Sequence, residues 1–228
     1  MRINKFLALA TGISRRSADA ELTRGSVQVN GTMASLGQQV TSADIIVYNG
    51  RQLDTKILQA NASHTTIMLN KPVGYVVSRN GQGSRTIYDL LPAQYHNLKP
   101  IGRLDKDSSG LLLLTNDGQL AHDLTHPSRQ KEKVYEIQLD KPLQPLHRQM
   151  ISDHGIQLDD GVSKFMVERL REGDDMQWRV VMHEGRNRQI RRTFAALGYT
   201  VTKLHRTTFG RFMLSGLPSG SYSEPADR

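Results

Sequence analysis

Apolar and polar positions in the first fifty residues follow first a helical and then a strand periodicity. The earliest apolar residues recur every three or four positions, which predicts one buried helix face: Ile3, Phe6, Leu7 and Ala10. Gly12 ends this helix, Ser14 is a suitable N-cap for a second helix, and Gly25 closes that second helix. Alternating valines in SVQVNG predict a strand with a turn at Asn30-Gly31, and DIIVYNG predicts a returning strand. We therefore predict a small module of two helices and a small sheet in residues 1–50.

The rest of the chain has the pattern of an α+β domain. Short apolar segments recur from Ile67 onward, each with the length of a strand: IMLNKP, GYVVS, LLLLT, VYEIQLD, FMVERL and WRVVMHEG. Two longer amphipathic segments, LQPLHRQMISDHG and RNRQIRRTFAALGY, predict helices between them. We predict an α+β fold in which residues 65–228 form a mostly antiparallel mixed sheet flanked by helices. The polar segment 51–64 is predicted to be a linker, and the tail 215–228 is expected to fray.

Composition narrows the class of partner. The 228 residues include 30 Lys and Arg against 22 Asp and Glu, which gives a formal net charge of +8 and a pI near 9.8. This excess favours a polyanionic partner such as nucleic acid, with a basic enzyme unrelated to nucleic acid as the alternative. The chain has no cysteine, which excludes disulfides, thiolate catalysis and cysteine-bound zinc. No segment approaches the roughly 18 apolar residues of a membrane-spanning helix, so we expect no membrane partner.

Two arginines open the second predicted helix. Arg15 and Arg16 follow Ser14 in the first turn, where free backbone N–H groups and the helix dipole already attract anions. A cation at this end of a helix opposes the dipole, so the pair does little for helix stability. We interpret the two arginines as candidate phosphate contacts, and a solvated basic surface is the alternative.

The segment GRLDKDSSGLLLLTNDG combines acids, bases and a buried strand. Leu111–Leu114 predicts that strand, KDSSG has the composition of a turn, and Asn116-Asp117-Gly118 is predicted to form the turn that closes the far end. Asp105 therefore lies in the loop that enters the strand, where a carboxylate is costly unless it is paired or used. One alternative is a structural turn in which Asp107 caps the backbone and Asp105 pairs with Arg103. Another is an Asp-x-Asp magnesium site, although no third acid beside a glycine-rich phosphate loop follows.

A second candidate segment, EGRNRQIRRTFAALGY, predicts a helix with arginines in its early turns. Its core positions recur at helical spacing: Ile190, Phe194 and Leu197. Its basic residues cluster near the helix N-terminus: Arg188, Arg191 and Arg192. Because Arg191 directly follows a core-facing residue, it could turn towards an acid in the interior. The alternative is a solvated basic face.

A third segment, KEKVYEIQLD, predicts a strand with Tyr135 between basic residues. Alternation places Lys133, Tyr135 and Ile137 on one face of this strand. A tyrosine beside lysines could stack on a nucleic-acid base. The alternative is a half-buried strand aromatic with a structural role.

Together these segments resemble two known families. INKFLALATGISRRSADAELTRGSVQVNG resembles an S4 RNA-binding domain, which implies a module that docks structured RNA. Four further motifs follow in order: Gly-Arg-Leu-Asp, then Ser-Gly-Leu-Leu with Thr-Asn-Asp-Gly, then Lys-x-Tyr, then Gly-Arg-x-Arg-Gln-Ile-Arg-Arg. These motifs, with LNKPVGYVVS and KLHRTTFGRFML, resemble the RsuA/RluB-type pseudouridine synthases, in which an S4 domain is the usual companion. The resemblance covers nearly the entire chain and implies the pseudouridine synthase fold.

The resemblance implies the isomerisation of uridine to pseudouridine in RNA. Asp105 matches the catalytic aspartate and would act on the ribose as a nucleophile or as a base. A carboxylate in a partly desolvated pocket needs a nearby cation to stay ionised, and Arg191 is the expected ion-pair partner. Tyr135 matches the family's tyrosine and is expected to stack against the uracil. We therefore predict Asp105, Tyr135 and Arg191 as the catalytic residues.

The resemblance also implies a set of substrate contacts. Arg103 is expected to hold the RNA or the stack from which the base is flipped out. Ile190 and Leu204 are expected to form the apolar wall of the pocket. We further assign substrate binding to Arg188 and, in the S4 module, to Arg15 and Arg16.

The implied reaction adds and removes nothing, so it needs no cofactor and no metal. The expected partner is ribosomal RNA, with the target uridine flipped out of a stem-loop or lying in a single strand. THPSR followed by KEKVYEI favours a large-subunit (23S) over a small-subunit (16S) substrate. We expect a cytoplasmic monomer. A non-catalytic S4-type ribosome-assembly factor and a magnesium-dependent phosphatase are the alternatives from other classes.

Overall fold

The chain forms two units in the computed structural model, which describes residues 1–58 and 64–225. The first unit comprises Met1–Ser63 and the second His64–Arg228. The boundary falls within the polar segment that separates the two predicted parts of the sequence. No helix of the described residues is both long enough and apolar enough to cross a membrane.

The first unit contains the predicted helix pair and sheet. Its helices are α1 (Ile3–Thr11) and α2 (Arg15–Thr23). Four described strands make its antiparallel sheet: β1 (Val27–Val29), β2 (Thr32–Met33), β3 (Ile46–Tyr48) and β4 (Arg51–Gln52). Their lateral order is β2-β1-β3-β4, so the central β1 pairs both with its immediate hairpin partner and with the predicted returning strand.

Local chemistry explains the ends of the two helices. Gly12 has a φ of 79°, a left-handed conformation that ends α1 at little cost for glycine. The hydroxyl of Ser14 accepts a hydrogen bond from the backbone N–H of Ser17, so Ser14 is the N-cap of α2 as predicted. Apolar residues from both helices and from β1 and β3 form one core, which includes Phe6, Leu22 and Ile46.

The predicted linker 51–64 begins as part of this unit instead. Strand β4 pairs with β3, and a 3-10 helix, Thr55–Leu58, follows it. The left-handed turn at Asn49 and Gly50 reverses the chain and creates this short hairpin. A two-residue strand is too short to show alternation, which is why its polar sequence resembled a linker. Residues 59–63 lie outside the described part of the chain.

The second unit is built on one large sheet. The strands of this unit are β5 (Thr66–Lys71), β6 (Lys99–Ile101), β7 (Ser109–Thr115), β8 (Lys133–Leu139), β9 (Ile156–Leu158), β10 (Gly161–Ser163), β11 (Met166–Arg169), β12 (Gln177–Met182), β13 (Val201–Phe209), β14 (Phe212–Met213) and β15 (Tyr222–Ser223). Among described residues the sheet order is β11-β12-β8-β13-β7-β5-β15, with β6 beside β7 and β14 beside β13. The β13–β7 pair is parallel and the other pairs are antiparallel, while β9 and β10 form a separate hairpin.

Three α-helices connect strands of this unit along the chain. They are α3 (Gly118–Thr125), α4 (Pro145–Gln149) and α5 (Gln189–Ala196), and a π-helical turn, Met150–His154, continues α4. Both amphipathic segments predicted as helices therefore contain one. The α+β fold with a mostly antiparallel mixed sheet is confirmed.

Strand β7 is buried on both faces. Leu112 and Leu114 join the main core beside the buried Trp178 and Phe194, whereas Leu111 and Leu113 join a second core on the opposite face. Side chains alternate between the two faces of a strand, so burial of both faces requires consecutive apolar residues. The four leucines thus hold the segment that enters β7 in a fixed place.

Two details of the second unit differ from the prediction. Asp117, predicted to close a turn, is the N-cap of α3, because its carboxylate accepts from the backbone N–H groups of Gln119 and Leu120. The tail was expected to fray, but Tyr222–Ser223 adds β15 to the edge of β5. The side chain and backbone of Asn70 bond to residues of this tail, which fixes it on the sheet.

Candidate active site

A buried lysine anchors the loop that carries Asp105. Lys71, the last residue of β5, is fully buried. Its Nζ donates hydrogen bonds to three backbone carbonyl oxygens: Pro72 at 3.0 Å, Asp105 at 3.0 Å and Ser108 at 2.7 Å. Burial lowers the pKa of Lys71 to about 8, and the nearby charges of Asp105 and Asp107 oppose that change. The lysine therefore joins the Asp105 loop to the sheet through its backbone.

Arg188, not Arg191, is the ion-pair partner of Asp105. The Nη1 of Arg188 lies 3.3 Å from the Oδ2 of Asp105, and both guanidinium nitrogens also bond the carboxylate of Asp107 at 3.1 Å. The predicted Asp105–Arg191 pair is absent among the described contacts. Arg188 is the N-cap residue of α5 and reaches both acids from the start of the helix. Arg191 lies three residues further on, within the first turn of α5.

Arg191 acts on the backbone beside the site. Its Nη1 donates to the carbonyl of Val201 at 2.5 Å, its Nη2 donates to the carbonyl of Asp107 at 2.9 Å, and its Nε lies 3.4 Å from the Asp107 carboxylate. Burial lowers the pKa of the Arg191 guanidinium, and Asp107 partly opposes this. The Arg191 side chain is only 12% exposed, and the acid that it meets is the half-exposed Asp107, not the predicted Asp105.

Asp107 therefore belongs to the ion network and does not merely cap a turn. Burial by itself would raise the pKa of Asp107, but the hydrogen bond from Arg188 and the charges of Arg191 and Arg188 outweigh it and lower the pKa below 3.8. The two acids share Arg188 between them. Among the described residues no three His, Asp or Glu side chains are grouped to hold a metal ion.

A network around Arg186 fixes the loop that carries Arg188. Arg186 donates to the carbonyls of Asp160, Gly161 and Val162 and to the carboxylate of Asp160, all in the turn and strand of the β9–β10 hairpin. The Asp160 carboxylate also accepts from Arg192 at 3.1 and 2.6 Å. Arg188 itself has a φ of 46°, a conformation uncommon for a residue with a side chain. The surrounding bonds compensate for this strain.

A cavity of about 1240 Å³ opens beside Asp105. It is lined by Asp105 and by five further residues predicted for the site, Arg103, Tyr135, Arg188, Ile190 and Leu204, but not by Arg191. Tyr135, Ile190 and Leu204 are each at least nine-tenths buried and provide an apolar wall, whereas Arg103 is exposed. The acid, the tyrosine and the two apolar residues come from four different segments of the chain, which the fold brings to one cavity.

The two arginines of the first unit are exposed at the start of α2. Arg15 bonds the side chain of Asn4 at 3.2 Å, and Arg16 is also exposed. Both lie in the first turn, as predicted, so their guanidinium groups are accessible to an anion.

Sequence reasoning missed three basic residues around the site: Lys71, Arg186 and Arg206. Lys71 had the signal of a charge at the end of a strongly apolar strand, in the segment LNKP. Arg186 had no sequence signal that distinguishes it from the neighbouring arginines, because its partners are backbone carbonyls of a hairpin distant in sequence. Arg206 is buried in β13, and its Nε donates to the carbonyl of Leu111 at 2.8 Å.

Comparisons with known proteins show which family and which relatives this chain resembles. The family model described as RNA pseudouridylate synthase matches residues 65–196. The ribosomal large subunit pseudouridine synthase B of Xylella fastidiosa is 38% identical over 93% of this chain and 46% of its own length. The chain thus spans about half the length of that relative. The synthase B of Bacillus subtilis is 34% identical over 98% of this chain and 91% of its own length.

Two further comparisons agree. The dual-specificity RNA pseudouridine synthase RluF of Salmonella typhi is 36% identical over 99% of this chain and 76% of its own length. A crystal structure of a pseudouridylate synthase superimposes with a TM-score of 0.69 at 31% identity, and covers 99% of this chain and 96% of the solved one. With more than half of its residues matched by the family model, this chain belongs to the RNA pseudouridylate synthase family.

Proposed function

We propose that this chain isomerises a uridine of large-subunit ribosomal RNA to pseudouridine. One observation carries the proposal: the Asp105 carboxylate borders a cavity walled by Tyr135, Ile190 and Leu204, and Arg188 pairs with it. Membership of the family supports the reaction, and the names of the Xylella and Bacillus relatives support the large subunit as the source of the RNA. We further propose that the protein acts as a cytoplasmic monomer.

The chemistry requires an ionised acid beside a flat aromatic base. The N1–C1′ glycosidic bond of the uridine breaks, the uracil turns, C5 bonds to C1′, and the C5 proton is lost while N1 gains one. Asp105 acts on the ribose as a nucleophile or a base, for which it has to be ionised. The Nη1 of Arg188 lies 3.3 Å from the Oδ2 of Asp105, whose side chain is 32% exposed.

The apolar wall provides the site for the flipped-out base. Tyr135 offers a ring face for stacking, and Ile190 and Leu204 exclude water from the other sides of the uracil. Arg103 and Arg188 lie at the exposed and charged side of the cavity, where they are suited to hold the phosphate backbone. Uridine and pseudouridine contain the same atoms, so the proposed reaction requires no cofactor to supply or accept a group.

Replacing Asp105 tests the proposal. Asp105→Asn keeps the shape of the side chain but removes its charge, so we expect pseudouridine formation to fall by at least about 10²-fold to 10⁴-fold while RNA affinity changes little. Release of tritium from C5-tritiated uridine in unmodified large-subunit ribosomal RNA measures the reaction. Glu172→Gln, at an exposed acid outside the cavity, is the matched control and should retain full activity.

Two outcomes would contradict the proposal in different ways. Undiminished tritium release by Asp105→Asn would remove Asp105 from the mechanism. A wild-type protein that binds the RNA but releases no tritium from either ribosomal RNA would instead be a non-catalytic assembly factor. Release from small-subunit RNA alone would overturn the choice of subunit.

A further inference from the structure

The cavity beside Asp105 continues past Tyr135 to a second group of residues. At about 1240 Å³ it exceeds the ~300–1000 Å³ of ordinary small-ligand pockets, so it has room for more than the target nucleotide. Lys133 lies two residues before Tyr135 on the same face of β8, a separation of about 6.6 Å along a strand. Across the β8–β13 ladder, Phe209 faces Lys133 and Arg206 faces Tyr135.

Two cations in this part of the cavity share one aromatic ring. The Nζ of Lys133 lies 5.3 Å from the centre of the Phe209 ring, and the Cζ of Arg206 lies 4.9 Å from the same centre. Arg206 is 2% exposed, whereas Lys133 is half-buried and lines the cavity. Like charges this close repel each other in a partly desolvated setting, and the ring offsets only part of that cost.

Neither cation has a carboxylate partner in the part of the chain that the structure describes. The Nζ of Lys133 makes only long bonds, of 3.3 and 3.4 Å, to the carbonyls of Lys131 and His183. Glu184, whose charge acts on Lys133, is already held by Arg186 and Gln189.

The buried cation beneath Lys133 is also incompletely satisfied. The Nε of Arg206 bonds the carbonyl of Leu111, but its buried Nη2 has no hydrogen-bond partner among the described residues. Burial and, next, the charge of Arg206 lower the pKa of Lys133. Folding alone gives no reason to keep two such cations together, but an anion beside them would offset the repulsion.

We propose that Lys133, with Arg206 beneath it, forms an anion subsite for the RNA backbone phosphate next to the target uridine. The inference rests on the proposed function, because it assigns the uracil to Tyr135 and the adjoining phosphate to the next position along β8. The Nζ of Lys133 contacts the phosphate oxygens, and Arg206 contributes its charge from below. The subsite positions the substrate and takes no part in bond making.

Lys133→Met tests the subsite with little change in volume, and Lys133→Arg should rescue it. The probe is an unmodified transcript of large-subunit ribosomal RNA, bound to the full-length protein in the non-reacting Asp105→Asn background. We expect Lys133→Met to weaken binding about threefold to tenfold and to flatten the slope of log affinity against log salt by about 0.7, the value for one phosphate of a single strand. Lys99→Met, an exposed lysine on β6 outside the cavity, is the matched control.

A neutral backbone linkage identifies the phosphate involved. Synthetic stem-loops around the uridine that the wild type modifies would carry one methylphosphonate at each neighbouring linkage in turn. In the same Asp105→Asn background, the protein that retains Lys133 should lose as much affinity at the linkage bound by Lys133 as Lys133→Met loses with the normal RNA. Lys133→Met should lose nothing further there, because the two changes remove the same interaction.

The outcomes separate this inference from the proposed function. The subsite is wrong if Lys133→Met keeps the salt slope and affinity of the wild type or behaves as Lys99→Met does. It is equally wrong if the losses from Lys133→Met and from the methylphosphonate add at every linkage. A wild type that makes no pseudouridine, together with a weakened Lys133→Met complex, would overturn the proposed function and leave an RNA phosphate site at Lys133.

Discussion

Lys71 shows how much one side chain contributes to the candidate site. Its side chain is fully buried, yet its ammonium group donates to three backbone carbonyls, two of them in the loop that carries Asp105. A buried charge is costly, and here dipoles satisfy it instead of a direct ion pair. The benefit is geometric, because the loop is fixed without neutralising the acid that the reaction needs.

Lys71 also makes a prediction about stability and pH. Its pKa is about 8 in the folded protein and 10.5 in the unfolded chain, so between these values the unfolded chain holds the extra proton. Raising the pH through this range therefore favours the folded state. We expect the free energy of unfolding of the wild type to rise by up to roughly 3 kcal/mol relative to Lys71→Met between pH 7 and pH 11. Urea unfolding of both proteins across this range measures the difference, and parallel pH curves would contradict the assignment.

Arg188 and Arg191 are predicted to differ in what their loss changes. Arg188 is 44% exposed and bonds both acids, whereas Arg191 is 12% exposed and bonds the backbone carbonyls of Val201 and Asp107. Arg188→Gln should lower turnover by about 10²-fold with a change in stability below about 1 kcal/mol. Arg191→Gln should lower turnover and also destabilise the fold by about 1–3 kcal/mol, since it removes the hydrogen bonds that join α5 to these two carbonyls.

Tritium release and urea unfolding, measured on the same preparations, distinguish the two arginines. Equal losses of stability would show that Arg188 has a structural role instead. Retained turnover in Arg188→Gln would mean that Asp105 does not need this partner.

At the scale of elements, the hairpin of β9 and β10 holds the loop that carries Arg188, although the hairpin itself does not contact Asp105 among the described hydrogen bonds and ion pairs. Arg186 and Arg192 both reach Asp160 at the hairpin turn, and Arg186 also bonds two carbonyls beyond it. The hairpin and the start of α5 are thereby joined. This junction sets the backbone at Arg188, and so determines which arginine meets Asp105.

Asp160→Ala should therefore impair the reaction from a distance. We expect turnover to fall about tenfold with little change in RNA affinity, because the arginine loop loses its alignment with Asp105. The hydrogen bond from Arg192 and the charges of both arginines lower the pKa of Asp160, so the carboxylate stays ionised and the defect should be constant between pH 5 and pH 8. Asp159→Ala, at the neighbouring exposed acid, is the control. A similar loss in both variants would contradict a specific junction.

At the scale of the whole molecule, the proposed function assigns the chemistry to the second unit and the docking of RNA to the first. The second unit contains the cavity, and the first presents Arg15 and Arg16 at an exposed helix start. The excess of basic over acidic residues favours RNA for the molecule as a whole. A separate docking unit is useful because flipping a base out of a stack costs a few kcal/mol that binding elsewhere has to offset.

Replacing Arg15 and Arg16 together with Ala should separate docking from chemistry. Affinity for ribosomal RNA should fall. The slope of log affinity against log salt should flatten by the amount expected for the loss of about one to two phosphate contacts. Turnover at saturating RNA should stay near that of the wild type. Filter binding over a range of salt, with tritium release at high RNA concentration, measures both quantities. Unchanged affinity would remove these arginines from the interface, and Arg51→Ala at an exposed strand residue of the same unit is a control.

Several features were predictable because they depend on neighbours in the chain. The helix pair, the N-cap at Ser14 and the buried strand at Leu111–Leu114 follow from periodicity and local hydrogen bonding. Strand β15 and the hairpin partner of β3 escaped prediction, because two-residue strands carry no periodic signal and are held by pairing with distant or edge strands. The cap at Asp117 was missed because an Asn-Asp-Gly sequence is equally typical of a turn.

The sequence by itself determined the family, the α+β composition and the positions of Asp105 and Tyr135 in a loop and a strand, since motifs and alternation are local properties of the chain. Only the tertiary structure decided which cation meets which acid. Arg188 and Arg191 are three positions apart at the start of α5, which Arg192 joins to the hairpin at Asp160, and it is Arg188 that meets Asp105. The same holds for Lys133 and Arg206, which come together only through the pairing of β8 with β13. Such contacts depend on the angle and register at which distant elements pack, and no local pattern encodes them.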